Sequence, residues 1–488
     1  MQTVDIDMYT ECFILFDECE KLVQDVHYRD SIREPMNDFF RFQNKALISA
    51  TPIVPEKDSR FDGFMRVLIQ PDYVYRQKLK LITTNNVLET LQEVIEAKRG
   101  TVCIFCNSID SIDSFYRLIP ELSNACTFCS EDGQYKLWKG NRRKKSMMIT
   151  ELERYNFFTS RFYSAVDILC KNPPHVIFVS DLYGAAQSVI DPATEAIQII
   201  GRFRGGVNSV THIASIRPEL ECMSSSEIGH WIQGASTIFN GWKAQLARTT
   251  NIGERTLLQE AIGENSYLPY LDENGKPDSF LIANFYEKEQ VKRLYTSADL
   301  LHLAYEQTGY FVFSHEERLM PVSDNERMAI QHRLAKKKRA ELIVRKLEEM
   351  EKMSRATDKK IQKRYQRMLM NLITSTADRY IYDCFCRFGA KFVREADYNE
   401  NKLRTALNVS SEHTIKKSGQ MRTYIQRAFP VGAEISVQEA KSMLRQVYKK
   451  MGLNTGRGIT TKELEQYAEI ENSRNRDCLL YTSDAADE

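Results

Sequence analysis

Between residues 78 and about 220, short apolar runs alternate with helix-like stretches, and this alternation limits the possible architecture more than any other feature. "TVCIFCN" leads into the helical "SIDSFYRLIPEL". "ACTFCS", a basic insertion, "NFFTSRF", "HVIFVSD", "AIQIIGRF" and "VTHIASI" follow. Strands that read apolar throughout are buried on both faces, and parallel neighbours need a crossover, usually a helix. The segment therefore predicts β-α-β units and a parallel sheet covered on both sides. Residues 1 to about 75 hold two more apolar strands, "CFILFD" and "KALISAT", separated by a polar, helical stretch punctuated by Pro35.

From about residue 223 the alternation gives way to helical periods in "EIGHWIQGASTIFNGWKAQLA" and "EKEQVKRLYTSADLLHLAYEQTG", with "ENGKPDS" as a loop. Residues 325 to about 375 read as one long charged helix. Ala340, Ile343, Leu347 and Met350 repeat at three- and four-residue steps, and Glu341/Arg345 and Glu348/Lys352 are favourable i,i+4 pairs. "ISVQEAKSMLRQVYKKMGL" and "TTKELEQYAEI" read as two helices around a Gly-rich turn, with Ser436 and Thr461 as N-caps. The last eleven residues, "CLLYTSDAADE" (478–488), look like an in-frame translation of a sequencing adapter and are set outside the fold.

A chain of 488 residues, 42% hydrophobic, can bury several cores, and its length suggests about three domains. The formal net charge of +1 gives no global pull toward a polyanion, so any such argument must be local. No run approaches the ~20 apolar residues of a membrane span, and Asp5, Asp7 and Glu11 break up any signal-peptide pattern. The odd number of cysteines, eleven, several inside apolar runs, reads as reduced thiols in a cytoplasmic compartment.

The chemistry-bearing residues begin where "CFILFD" ends. Ligands of open parallel sheets bind beyond the carboxyl ends of the strands, and Asp17 and Glu18 emerge there. An aspartate so placed holds Mg²⁺ through its water shell, and an adjacent glutamate orients and deprotonates an attacking water. The bland alternative is a buried strand ending at a polar turn. "SAT" brings the Ser49 and Thr51 hydroxyls to the same edge, and "QIIGRFRGG" supplies Gln198, Gly201, Arg202 and Arg204. Two arginines beside a glycine after an apolar strand suit multi-donor recognition of phosphate oxygens, although alone they would read as a basic surface turn.

In this order the residues resemble a superfamily 2 helicase of the DEAD-like kind common in phages and mobile elements. "DECE" is similar to motif II, "SAT" to motif III, "CIFCNSIDSI" to motif IV, "FFTSRFYSAVDI" to motif V and "QIIGRFR" to motif VI, over roughly residues 10 to 215. The resemblance implies a RecA-like P-loop NTPase fold. Its parts would be a partial first RecA-like domain (1–75), a complete second one (76–222), a mostly helical accessory domain (223–324), a long basic helix (325–378) and a small helical domain (379–477). It also implies ATP and Mg²⁺ as cofactors, with Asp17 on the metal and Glu18 activating water. Ser49 and Thr51 would couple hydrolysis to domain closure, and Asn107 and Ser108 would touch the nucleic-acid backbone. Thr159, Ser160 and Asp167 would link strand contacts to the nucleotide, Gln198 would sense the γ-phosphate, and Arg202 and Arg204 would act as arginine fingers.

Two features depart from the family pattern. Ala165 stands where a glycine is usual, and no G-x-x-x-x-G-K-[ST] loop occurs anywhere in the sequence. Without the glycines and lysine of that loop the chain should bind ATP poorly. The expectation is a helicase or translocase whose phosphate loop lies upstream of residue 1 and whose helical C-terminal region guides or grips nucleic acid or docks a replication protein. The rival is a non-hydrolysing protein that binds nucleic acid or a partner on the same scaffold.

Cys103-x-x-Cys106 and Cys126-x-x-Cys129 match a paired zinc pattern, yet both lie in strand runs, where residues i and i+3 face opposite ways. Cys384-x-Cys386 reads as burial on a helix. Three segments are basic enough to meet DNA: "KGNRRKKS", with Arg142, Arg143, Lys144 and Lys145, then "RLAKKKRAELIVRK" and "DKKIQKRYQR". For the long helix a merely solvated face is as good a reading. Trp138 and Tyr365 are candidates for base stacking.

Overall fold

The computed structural model describes residues 8–27, 29–138, 144–146, 148–149, 151–164, 166–320, 322–330, 334–353, 359–453, 455, 458–472 and 478–484. The chain divides into two compact units, 1–325 and 326–488.

The first unit is built on the alternating segment. Eight strands are named in chain order with two that precede them: β1 (Phe13–Asp17), β2 (Asn44–Ile48), β3 (Gln77–Thr84), β4 (Val102–Phe105), β5 (Cys126–Phe128), β6 (Lys144–Ser146), β7 (Tyr155–Phe158), β8 (His175–Ser180), β9 (Ser209–Ser215) and β10 (Phe311–Arg318). The last eight form one sheet in the order β10-β3-β9-β8-β4-β7-β5-β6. Every pairing in it is parallel. The α/β class with helix-covered parallel strands is therefore as the sequence predicts.

Alternation along the strands splits the core in two. Cys103, Phe105, Val176 and Phe178 belong to one face. Val102, Ile104, Cys106, Ile177 and Val179 belong to the other. The same split separates Cys126 from Cys129. Neither cysteine pair converges on a common point, as period-two geometry requires. The second face is covered by the helices Val87–Glu96 and Ile109–Leu118. The first is covered by the helix Glu195–Gly201 and by residues beyond 223. "AIQIIGRF", read as an apolar strand, is therefore helical: Ala196, Ile199, Ile200 and Phe203 recur at helical spacing and bury one face on the sheet.

Those later residues are helical at Ser225–Arg248, Ile252–Gly263, Ser279–Leu294 and Ala298–Gln307. A buried polar network ties them to the sheet. Ser180 Oγ lies 3.0 Å from both His212 Nε2 and Tyr295 OH. Tyr295 donates to the Ile190 carbonyl (2.7 Å), and Tyr305 OH meets His212 Nδ1 at 2.7 Å. β10 then runs beside β3 from Phe311↔Gln77 to Arg318↔Thr84. The apolar alternation of "FVF" after Gly309 is the signal for this edge strand, and sequence reading passed over it.

β1 and β2 form a separate two-stranded parallel sheet, paired from Phe13↔Asn44 to Asp17↔Ile48. One face packs on Met36, Phe39, Phe280 and Leu281. The other leaves Phe13 64%, Leu15 53% and Ile48 46% exposed. Phe280 and Leu281 begin the helix Ser279–Leu294, whose N-cap Asp278 pairs with Arg33. One helix thus holds both the small sheet and, through Tyr295, the large one.

The second unit is mainly helical, with a three-stranded antiparallel sheet. Among the described residues, the stretch read as one long helix falls into three, Asp324–Met328, Lys336–Met353 and Lys359–Ser375, the last two packing against each other. Arg345 pairs with Glu326 and Glu349 rather than backwards along its helix. Ser436 caps the helix Val437–Lys450 by accepting from the Glu439 amide (3.2 Å). Thr461 is no cap: it is the first residue of a 3₁₀ turn, with Thr460 in the cap position. Residues Cys478–Asp484, set aside as a tail, are the middle strand between Glu434–Ser436 and Ala468–Asn472. Their Leu-Leu-Tyr-Thr composition favours an extended chain, which explains the pairing. Cys384 is buried, but Cys386 is exposed, against the expectation for that pair.

Candidate functional site

The parallel register of β1 and β2 brings Asp17 and Ile48 to one edge, so the residues that follow each strand share it. Asp17 is exposed, and its Oδ1 accepts from the Glu18 amide (2.8 Å). Glu18 adopts φ +53°, a left-handed conformation costly for a residue with a Cβ. The turn it makes reverses the chain so that the Cys19 amide reaches the Ile48 carbonyl (3.3 Å) and the helix Lys21–Gln24 begins. Strain of this kind persists where surrounding contacts over-determine it, and it clusters at working sites. Beyond β2, Ser49 Oγ accepts from the Thr51 amide (2.9 Å), which turns the buried Thr51 hydroxyl inward.

The helix Glu195–Gly201 meets this edge from the large sheet. Gln198, 5% exposed, donates through Nε2 to Glu20 Oε1 (3.0 Å) and to Thr51 Oγ1 (2.9 Å). Its other end is held by Arg202, which donates from Nη2 to Gln198 Oε1 (3.2 Å) and from Nε to the Gln198 carbonyl (3.1 Å). Arg202 Nη1 lies 3.6 Å from Glu18 Oε1. Asp17, Glu18, Ser49, Thr51, Gln198 and Arg202 thus meet in one place, although up to 185 positions separate them in sequence.

Arg204 stands apart. It is exposed and pairs with Asp167 at 3.0 Å, so these two expected site residues face each other across a surface ion pair. A Cβ on Gly201 would meet nothing within 4 Å, so no close approach calls for glycine there. Ser108 is buried and its hydroxyl accepts from the Ser111 amide (3.1 Å) as the N-cap of Ile109–Leu118, a structural use. Asn107 follows β4, and Thr159 and Ser160 follow β7. Because β4 and β7 pair in parallel, Phe105 opposite Phe158, the three lie at one carboxyl edge of the sheet. Thr159 is buried and Ser160 exposed.

Of the basic insertion, Arg142 and Arg143 lie outside the described residues, as do Ala165 and the side chains of Trp138, Lys144 and Lys145. On the later basic helix, Lys336 pairs with Glu400, Lys337 with Asp397 (2.6 Å), Arg339 with Asp378 (2.6 Å) and Lys346 with Glu326 (2.8 Å). Those charges are neutralised within the unit and make a poor phosphate-tracking row. Tyr365 is half-buried among partners of its own.

Sequence reading missed a set of acids behind the site. Glu20 is fully buried, and its Oε2 has no hydrogen-bond partner; burial raises its pKa while Ser49 opposes the shift. Gln24 Nε2 donates to Thr194 Oγ1 and to Glu287 Oε1, both at 3.0 Å. Thr194 donates to Asp191 (2.6 Å), and Glu195 Oε2 accepts from the Asp191 amide (3.0 Å). Burial pushes Glu195 up to about 8 and Glu287 up to about 7. The fourth letter of "DECE" was the one available signal; the rest depend on partners distant in sequence.

The exposed carboxylate of Asp17 suits a hydrated divalent cation, and Glu18 with Arg202 suits a water and an anionic oxygen between them. No G-x-x-x-x-G-K-[ST] loop occurs in the sequence to hold the rest of a nucleotide triphosphate. No family model matches the chain, and no curated protein does.

Proposed function

We propose that this chain belongs to a nucleic-acid-dependent ATPase, a helicase or translocase of the superfamily 2 type, working with ATP and Mg²⁺ on DNA. The observation that carries the reading is the Gln198 amide, hydrogen-bonded to Glu20 and Thr51 while Arg202 approaches Glu18. The residues that resemble motifs II, III and VI meet in one polar junction, which supports the reading.

In this reading β1 and β2 belong to a partial first RecA-like domain and β3–β9 to a second. The exposed apolar face of Phe13, Leu15 and Ile48 is consistent with a small sheet that other strands complete. Asp17 would hold the metal, which neutralises phosphate oxygens. Glu18 would take the proton of the attacking water, and Arg202 would stabilise charge on the phosphoryl oxygens. Arg204, released from Asp167, would serve as a second finger. The carboxyl edge carrying Asn107, Thr159 and Ser160 would face the strand.

The absent phosphate loop favours a second reading, a non-hydrolysing nucleic-acid- or partner-binding protein on the same scaffold. ATP turnover separates the two. A chain extended by coding sequence that supplies a G-K-[ST] loop should hydrolyse ATP faster with single-stranded DNA present. DNA binding without turnover in that extended chain would favour the second reading.

A further inference from the structure

The second unit contains a groove that nucleotide chemistry does not use. Its walls come from two helices, Arg379–Glu395 and Glu400–Lys416. The volume is about 730 Å³. Gly389, at φ +80° and ψ +167°, breaks the first helix, yet Phe388 and Phe392 on either side pack at 4.7 Å and form one apolar wall. The opposite wall is a stripe on the second helix. Lys402, Ala406, Val409 and His413 fall at intervals of four, three and four, which places them on a single helical face. The middle of that face is apolar, with Val409 60% exposed.

Each end of the groove has a fixed cation, Lys402 at one and Arg387 beside His413 at the other. Lys402 and His413 stand about 16 Å apart along the helix at 1.5 Å per residue. Arg387 adds charge at the His413 end, donating to the Ser410 carbonyl (3.1 Å) and Thr414 Oγ1 (2.7 Å). No carboxylate lines the groove among the described residues.

We propose that this groove docks a short acidic peptide segment of a partner protein, its apolar anchors on Phe388, Phe392 and Val409 and its carboxylates at the two cationic ends. Two walls leave a trough open along one side, which fits a chain segment better than an enclosed small molecule. A nucleic-acid strand fits less well. Its phosphates recur every nucleotide, whereas Ala406 and Val409 fill the space between the cations. The two rings pack on each other at 41° and offer no open parallel platform for bases. The groove is independent of the ATPase reading and stands if that reading fails.

The test uses the full chain and a fluorescein-labelled peptide of about twelve residues, with Phe and Leu at i and i+4 and an Asp-Glu pair at each end. Anisotropy should show saturable binding, and a Lys-flanked version of the peptide should bind at least roughly tenfold more weakly. Val409→Asp should cost roughly tenfold in affinity, with an unchanged melting temperature because Val409 is exposed. Lys402→Glu combined with His413→Glu should reverse the preference toward the Lys-flanked peptide. Equal binding of both peptides, or full affinity in Val409→Asp, would overturn the proposal. So would competition by a single-stranded oligonucleotide that the same variants abolish, because that would make the groove a nucleic-acid site.

Discussion

Among single residues, burial sets the protonation of Glu195, Glu287 and His212. Glu195 and Glu287 have folded-state pKa values raised to about 8 and about 7, above the ordinary 4.5. Their neutral forms are favoured by folding. The stability they contribute is full below the unfolded carboxylate range and is lost as pH rises through about 7 to 8. His212 has the opposite sign. Burial lowers it to about 3 from 6.5, so its contribution is full above 6.5 and is lost as pH falls below that value. The melting temperature should therefore decline from mildly acidic pH toward about pH 9, and Glu195→Gln with Glu287→Gln should flatten that decline. Melts recorded across this range check it; an alkaline limb unchanged in the double variant would mean these carboxyls are not buried as described. None of this was legible in sequence. An acid reads as exposed until its partners are known, and the glutamine that bridges Glu287 to Thr194 lies 263 positions from the first and 170 from the second. Asp17 and Glu18 were legible because they end an apolar strand, whereas Gln198 and Arg202 were singled out by resemblance and lie on a helix and at its end rather than after a strand.

At the scale of elements, periodicity carried most of the fold. Period-two alternation assigned the cysteines of each C-x-x-C pair to opposite faces before any coordinates, and the two cores bear that out. It did not reveal β10, whose pairing with β3 is a long-range choice that local pattern leaves open. Nor did it show that residues beyond 223 cover the same sheet, because the Ser180–His212–Tyr295 network is invisible until its members meet. Ser108 illustrates competition between a cap and a ligand contact. Its hydroxyl caps Ile109–Leu118, so Ser108→Ala should cost about 1 kcal/mol of stability and Ser108→Gly only a few tenths. Denaturant midpoints distinguish the two variants. Equal losses, together with a marked drop in DNA affinity, would return the hydroxyl to nucleic-acid contact.

At the scale of the whole molecule, the first unit is organised around one junction. The helix Ser279–Leu294 clamps the small sheet through Phe280 and Leu281 and the large sheet through Tyr295. The helix Glu195–Gly201 closes the gap with Gln198 and Arg202. The meeting of Asp17 with the residues after Ile48 was readable because it depends on strand ends. The clamp was not, because it joins segments that look like an unrelated helical region. The central claim is that Glu18 and Arg202 belong to one ATP-hydrolysing site. Its most direct test is steady-state ATP turnover of the loop-bearing chain with single-stranded DNA, compared with its Glu18→Gln variant. The kcat of the variant should fall by about 10²- to 10⁴-fold with ATP affinity retained; undiminished turnover would contradict a role for Glu18 in the site.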